Sequence, residues 1–344
     1  MKRFLTKIAV WVLPVWLVWV LACAYFVFYI NPNATGDLAV VGHLPLDRSN
    51  SFYPDNSNHI PTYYREIYDP DSLRLQDSTL VLVVGDSFSQ RKQNSFQNYL
   101  ARDGFNVANV VPQNLNYFNP LQCAAELLAF HGIDSTCCRV MIVETGERYL
   151  PLRLQSFNPD VTAPTAKIRK KPAPATQAAT SSPMLLNPLI STRDMLFCRL
   201  GITKPVLRAE LKKPLFTSDL STTLFFFHED VDMDMSLPPS EQLKGKIHLL
   251  RTLARERGVK LIFLLAPDKY DLYQDFIVSN PYPRKTVCED FRALVGEDSC
   301  FIVAKELLLP LLQRGEKDVF IADDTHWSCQ TAEFVAAHIK KVIQ

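Results

Sequence analysis

The stretch Val81-Leu-Val-Val-Gly85-Asp86-Ser87-Phe88-Ser89 constrains this chain more than any other. A β-branched apolar run that ends at once in small residues reads as a buried strand entering a tight turn. Such a turn presents a serine hydroxyl at the carboxyl edge of a sheet, with the serine's own N–H facing a developing oxyanion. Residues 90–102 are polar and helix-compatible, and Gly104 stands where a C-cap glycine belongs. Taken alone, the stretch is equally an ordinary strand–turn–helix corner.

A second stretch, Val319-Phe-Ile-Ala-Asp323-Asp324-Thr325-His326-Trp327, changes that balance. A serine becomes a nucleophile near neutral pH when a base takes its proton, and that base needs a carboxylate to fix its tautomer. Either Asp323 or Asp324 supplies one from the same loop as His326. Ser89 competes with Ser87 but falls inside the first helical turn, where it suits capping. Asp86 suits capping that helix or bracing the turn. His338 lies 12 residues beyond His326 along a terminal helix, about 18 Å by helical rise, too far to share a site.

The first seven residues are basic, and residues 8–30 carry no charge over 23 positions. At 1.5 Å per residue that makes about 34 Å of helix, enough to cross a bilayer core of roughly 30 Å. Lys2, Arg3 and Lys7 place the N-terminus in the cytoplasm and everything after residue 30 outside. The competing readings are a signal peptide cleaved near Ala22-Cys23-Ala24 and a loose lipoprotein box at residues 20–23. Both sit poorly with an apolar run that continues to Ile30. The predicted location is the cytoplasmic membrane, single-pass, with the remaining chain in the periplasm or outside the cell.

Lys and Arg total 37 against 36 acidic residues, with no basic stripe interleaved with aromatics, so nucleic-acid binding finds no support. Cysteines 123, 137, 138, 198, 288, 300 and 329 show no paired C-x-x-C metal spacing. Cys288 and Cys300 form the most plausible local disulfide in an oxidising compartment. The division expected is a cytoplasmic tail at 1–7, an anchor at 8–30, a loosely structured collar at 31–78, and one domain over 79–344. A Pro/Ala/Thr-rich insertion at 155–188 interrupts that domain.

Within it, strands are expected at 79–84, 105–111, 139–143, 259–265, 300–303 and 319–321. Helices are expected at 119–131, after Pro238-Pro239-Ser240, and at 330–343. Leu243, Ile247, Leu250 and Ala254 form one apolar stripe ended by Gly258. Alternating strands and helices imply a parallel sheet covered on both faces. The segment 190–236, with Leu224-Phe-Phe-Phe227, is expected to pack beside the core or touch a partner.

With both motifs in this order, the chain resembles the SGNH (GDSL-like) esterase and acyltransferase superfamily. There the nucleophile follows the first strand in a Gly-Asp-Ser context, and acid and base sit together near the C-terminus. The Asp-Thr-His-Trp run resembles its alginate O-acetyltransferase-type branch, and the anchored topology resembles teichoic-acid D-alanylation proteins. The resemblance implies an SGNH-like (flavodoxin-like) three-layer α/β/α domain behind a transmembrane helix, with Ser87 as nucleophile and His326 as base. The broad pattern Asp-x-x-His selects Asp323 as the acid, and the narrower Asp-Thr-His selects Asp324. The superfamily's other oxyanion donors, a Gly after the second strand and an Asn after the third, are missing here. Asn116 and Arg148 are the substitutes, with Arg148 alternatively an ion-pair partner of Glu144 or Glu147. Lys269, in a Pro-Asp-Lys turn, is expected either to contact substrate or to be a solvated loop charge. Trp327 is a packing residue or a wall of the acyl pocket.

The same resemblance implies an O-acyltransferase, acetyl being the expected group, that modifies hydroxyls of a surface or exported polysaccharide. A multi-pass membrane O-acyltransferase is the expected partner; neither cofactor nor metal is called for. A carbohydrate esterase is the alternative, because water and a sugar hydroxyl attack the same acyl-enzyme. A non-catalytic glycan-assembly factor is the second alternative.

Overall fold

The computed structural model describes residues 2–25, 36–42, 61–68, 79–115, 117, 119–161, 187–232, 237 and 240–344. Its strands are β1 (Arg65–Ile67), β2 (Val81–Val84), β3 (Val107–Val110), β4 (Val140–Gly146), β5 (Val206–Glu210), β6 (Thr223–Phe227), β7 (Lys260–Ala266) and β8 (Phe301–Val303). Six of them form one sheet in the order β1-β3-β2-β4-β7-β8, with every neighbouring pair parallel. Buried on both faces, these strands are apolar runs rather than alternating ones. Val81, Val83, Ile142, Ile262 and Leu264 enter one core, whereas Leu82, Val84, Met141, Phe263 and Leu265 enter the other.

The helices are α1 (Lys2–Tyr25), α2 (Asp37–Val41), α3 (Phe96–Arg102), α4 (Pro120–Phe130), α5 (Leu150–Ser156), α6 (Asn187–Arg199), α7 (Glu229–Asp232), α8 (Glu241–Glu256), α9 (Lys269–Tyr273), α10 (Val287–Val295), α11 (Ala304–Gln313) and α12 (Cys329–Ile343). Helices α4, α5, α8 and α10 cover one face of the sheet. Helices α3, α9, α11 and α12, with the antiparallel β5–β6 hairpin, cover the other. From β2 the chain winds to β3 on one side and to β4, β7 and β8 on the other. The carboxyl end of β2 is therefore the topological switch point, where open α/β sheets bind ligands.

The predicted α8 stripe is buried at Leu243, Ile247, Leu250 and Ala254, and the Ser240 hydroxyl caps the helix by accepting from Leu243 N at 3.4 Å. Asn119 caps α4 by accepting from Leu121 N at 3.0 Å. Several expectations need correction. Residues 90–102 are not one helix: Lys92, at φ +50°, opens a separate 3-10 turn at Lys92–Asn94 after that at Ser87–Ser89, and α3 starts only at Phe96. Residues 319–321 do not join the sheet. They fold back on their own loop, with Phe320 bridging Trp327 and Ser328 N donating to Val319 O at 3.1 Å. Cys288 and Cys300 are free thiols; Cys288 is buried on the inner face of α10, and Cys300 is half-buried outside it.

The region expected to be a loose collar supplies two ordered pieces, α2 and the edge strand β1. Most of the insertion, 162–186, lies outside the described residues, and α5 and α6 reach into its expected ends. Of the segment expected to pack beside the core, β6 does so: its Leu224 and Phe226 are fully buried. The expected anchor ends at residues 26–30, outside the described residues. Among the described residues no helix is long and apolar enough to cross a membrane. Helix α1 leaves Trp11, Leu13, Trp16 and Leu17 exposed.

Candidate active site

Gly85 and Asp86 turn the chain as it leaves β2. A Cβ on residue 85 would stand 2.6 Å from both Glu144 Oε2 and Ser89 Oγ, so the turn closes only over glycine. Asp86 N donates to Glu144 Oε2 at 2.9 Å, and Gly146 N donates to Asp86 Oδ2 at 3.0 Å. Arg153 of α5 donates to Asp86 Oδ2 and to Thr145 Oγ1. Burial opposes charge on Asp86, but the Arg153 guanidinium and the bonds from Glu144 and Gly146 hold its carboxyl below the usual range. Burial, and next the Asp86 charge, push Glu144 well above its ordinary value. Asp86 is thus the brace of the turn. Ser89 is buried and donates to Asp86 O at 2.9 Å, whereas Ser87 is exposed. Of the two serines, only Ser87 faces outward.

The acid–base loop closes on itself through Ile321 N to His326 O at 3.1 Å and Asp324 N to Ile321 O at 3.3 Å. This turn brings Asp324, not Asp323, to the imidazole. Asp324 Oδ1 accepts from His326 N at 2.9 Å and lies 2.6 Å from His326 Nδ1. Arg91 NH1 donates to Asp324 Oδ2 at 2.5 Å and stands 3.3 Å from Nδ1. Burial disfavours the Asp324 charge, but the His326 hydrogen bond and charge, and then Arg91, outweigh it and hold the carboxyl far below the usual range. An ionised Asp324 fixes the proton on Nδ1 and leaves Nε2 as the basic lone pair. Nε2 is buried and has no hydrogen-bond partner among the described residues. Phe88, the residue after Ser87, lies against the imidazole at 4.9 Å between ring centroids and against Trp327 at 4.5 Å. The serine turn and the acid–base loop are therefore packed together, without a Ser87–His326 hydrogen bond among the described residues. Trp327, buried, is a packing residue.

Lys269 does not line the surface of the site. It is 1% exposed, and its ammonium donates to the carbonyls of Ile321, Ala322 and Asp324 at 2.7, 2.8 and 3.1 Å. Burial lowers its pKa to about 8, partly offset by Asp323 and Asp324. It is a clamp under the loop, because a buried ammonium needs acceptors and the turn offers three. Arg148 is likewise committed elsewhere. It pairs with Asp230, with Glu229 at 3.6 Å and Asp268 at 3.7 Å, and it lies 4.9 Å from the Phe227 ring, rather than pairing with Glu144 or Glu147. Asn116 lies outside the described residues.

Arg91, Arg153 and Asp37 went unmarked in the sequence. Arg91 sits in a polar run with nothing to single it out, and Arg153 and Asp37 meet the site only across long sequence distances. Among the described residues two clusters bring metal-ligating atoms within 4.8 Å of one another: Asp37, Asp324 and His326, and Glu147, Asp271 and Cys288. Arg91 on Asp324, and Lys305 on Asp271 at 2.6 Å, already supply a cation to each.

Fold and paired loops together define an α/β domain with a serine turn and an Asp–His loop packed together at one edge of a parallel sheet. Residues 224–344 match the family model described as the SGNH hydrolase-like domain of the acetyltransferase AlgX. The chain is 30% identical over 125 residues to a Pseudomonas fluorescens protein described as probable alginate O-acetylase AlgJ. That match covers 34% of this chain and 31% of the relative, so the chain spans about a third of that protein's length. These likenesses, each over about a third of the chain, make its C-terminal part similar to SGNH domains of the alginate O-acetyltransferase kind. The family match contains Asp324 and His326 and stops short of Ser87. No solved structure matches the chain significantly.

Proposed function

We propose that this chain is an extracytoplasmic O-acyltransferase that moves an acyl group, acetyl by its family likeness, onto hydroxyls of a surface or exported polysaccharide through a Ser87 ester. The observation that carries this reading is the Asp324–His326 pair, with Nε2 unpartnered among the described residues, packed through Phe88 against the turn that exposes Ser87. Ser87 Oγ attacks the acyl carbonyl while Nε2 takes its proton, and that proton passes to the departing donor group. An acceptor hydroxyl then gives its proton to Nε2, attacks the ester carbonyl and releases Ser87, which regains the proton. The Ser87 N–H is one oxyanion donor, typically worth about 3 kcal/mol, and Asn116 is a proposed second. The membrane helix at 8–30, a location outside the cytoplasm and a multi-pass membrane O-acyltransferase as acyl donor belong to the same proposal. Exposed tryptophans and leucines on α1 support the anchor.

The test is intact-mass analysis of the chain after exposure to an activated acetyl ester, with Ser87→Ala alongside. A gain of one acetyl group in wild type and none in Ser87→Ala is the expected result. The absence of both adduct and released acetate from folded wild-type protein would count against catalysis.

A further inference from the structure

The acid–base loop is held from above by a residue of the N-terminal segment. Asp37 opens α2, a five-residue helix in the region that its sequence marks only as polar. Its Oδ1 accepts from Thr325 N at 2.8 Å, and its Oδ2 accepts from Thr325 Oγ1. The same Oδ2 lies 3.8 Å from His326 Nδ1. Around it α2 is seated on the loop: Ala39 N donates to Asp323 O at 3.1 Å, and Leu38 and Ala39 are buried. Gly36 rests so closely on Asp323 that any Cβ there would overlap its carbonyl. The charged groups facing the Nδ1 side of His326 are thus Asp324 at 2.6 Å, Arg91 at 3.3 Å and Asp37 at 3.8 Å, with Lys269 beneath the backbone.

We infer that Asp37 is a positioning residue of this site. It fixes Thr325, and so the turn between Asp324 and His326, and it adds a second carboxylate beside the imidazolium that forms when Ser87 gives up its proton. Arg91 already binds the first carboxylate, so the Asp324 charge is shared between a guanidinium and the imidazole. Asp37 restores negative charge on that side. The inference rests on the acyl-enzyme reading of Ser87. It also ties the site to the N-terminal segment, because the acid–base loop is complete only with α2 docked.

Two variants separate the two roles. Asp37→Asn keeps an oxygen for Thr325 N, and the Thr325 hydroxyl can turn from donor to acceptor, so the bonds survive while the charge is lost. Asp37→Ala removes both. The full chain in detergent is assayed with 4-nitrophenyl acetate, and amide hydrogen exchange is followed over residues 319–327. Asp37→Asn is expected to lower kcat about tenfold, as one partly screened charge at this distance is worth, with KM and exchange unchanged. Asp37→Ala is expected to lower kcat further and speed exchange of the Thr325 amide, and Asp37→Glu to recover part of kcat. Wild-type kcat in Asp37→Asn, or wild-type exchange in Asp37→Ala, overturns the inference. Ser87→Ala run beside them tells the two readings apart. If it turns over the ester as wild type does, the acyl-enzyme reading fails, and the Thr325 amide in Asp37→Ala still decides whether Asp37 holds the loop.

Discussion

Lys269 donates to the backbone carbonyl of Asp324 at 3.1 Å, beneath the residue whose carboxylate holds His326. The lysine that the sequence offers either as a substrate contact or as a solvated loop charge is the floor of the acid–base loop. Its terminal ammonium reaches three carbonyls of one turn, so its removal leaves buried acceptors unpaired.

Lys269→Met is therefore expected to lower the unfolding free energy by about 3 kcal/mol in a urea titration, the cost of stranding such groups. Ester turnover should fall with it. Lys269→Arg should not rescue either, because a planar guanidinium needs more room than the buried slot gives. A melt indistinguishable from wild type would mean the clamp carries no weight.

The Asp86–Arg153 pair is buried beneath the serine turn. Arg153→Met leaves an uncompensated carboxylate there and is expected to cost about 3–5 kcal/mol. Combining it with Asp86→Asn should return much of that loss, since a neutral pair strands less charge. Equal stability of the single and double variants would show that the two residues are not coupled.

Asp324 and Asp323 should separate sharply in kinetics. Asp324→Asn leaves Nδ1 with the wrong partner and is expected to lower kcat for acetyl-ester cleavage by about 10³–10⁴, the scale of tautomer loss in serine triads. Asp323 faces α2 through its backbone, and its carboxyl is raised by burial. Asp323→Asn should stay within about tenfold of wild type, since it touches neither the imidazole nor Ser87. The reverse order would move the acid to Asp323.

Glu147 gives the fold a pH dependence. Burial, and then Asp271 and Asp268, raise its carboxyl well above the ordinary value, and burial raises Asp271 to about 6. A carboxyl with a raised folded pKa stabilises fully below its unfolded value of about 4.3, and that contribution is lost as pH rises through the folded pKa. Tm is expected to fall from about pH 5 toward pH 8, and Glu147→Gln, isosteric with the neutral acid, should flatten that fall. An unchanged slope in the variant would place the proton elsewhere.

The sequence by itself determined what local rules encode. Apolar runs marked β2, β3, β4, β7 and β8, because strands buried on both faces need no alternation. The Leu243-Ile247-Leu250-Ala254 stripe and Ser240 marked α8, and the Gly85-Asp86-Ser87 and Asp-Thr-His stretches marked the two loops that meet at one sheet edge. Choices between neighbours were decided only in three dimensions. Asp323 and Asp324 are chemically alike and adjacent, and the turn closed by Ile321 and His326 aims just one of them at the imidazole. Lys269 reads as a loop charge until the loop that covers it is folded. Asp37 and Arg91 reach His326 across 289 and 235 positions of sequence respectively, and no local pattern records a contact made by packing. Residue type and period are written in the chain, whereas direction and distance arise only when the sheet brings its edges together.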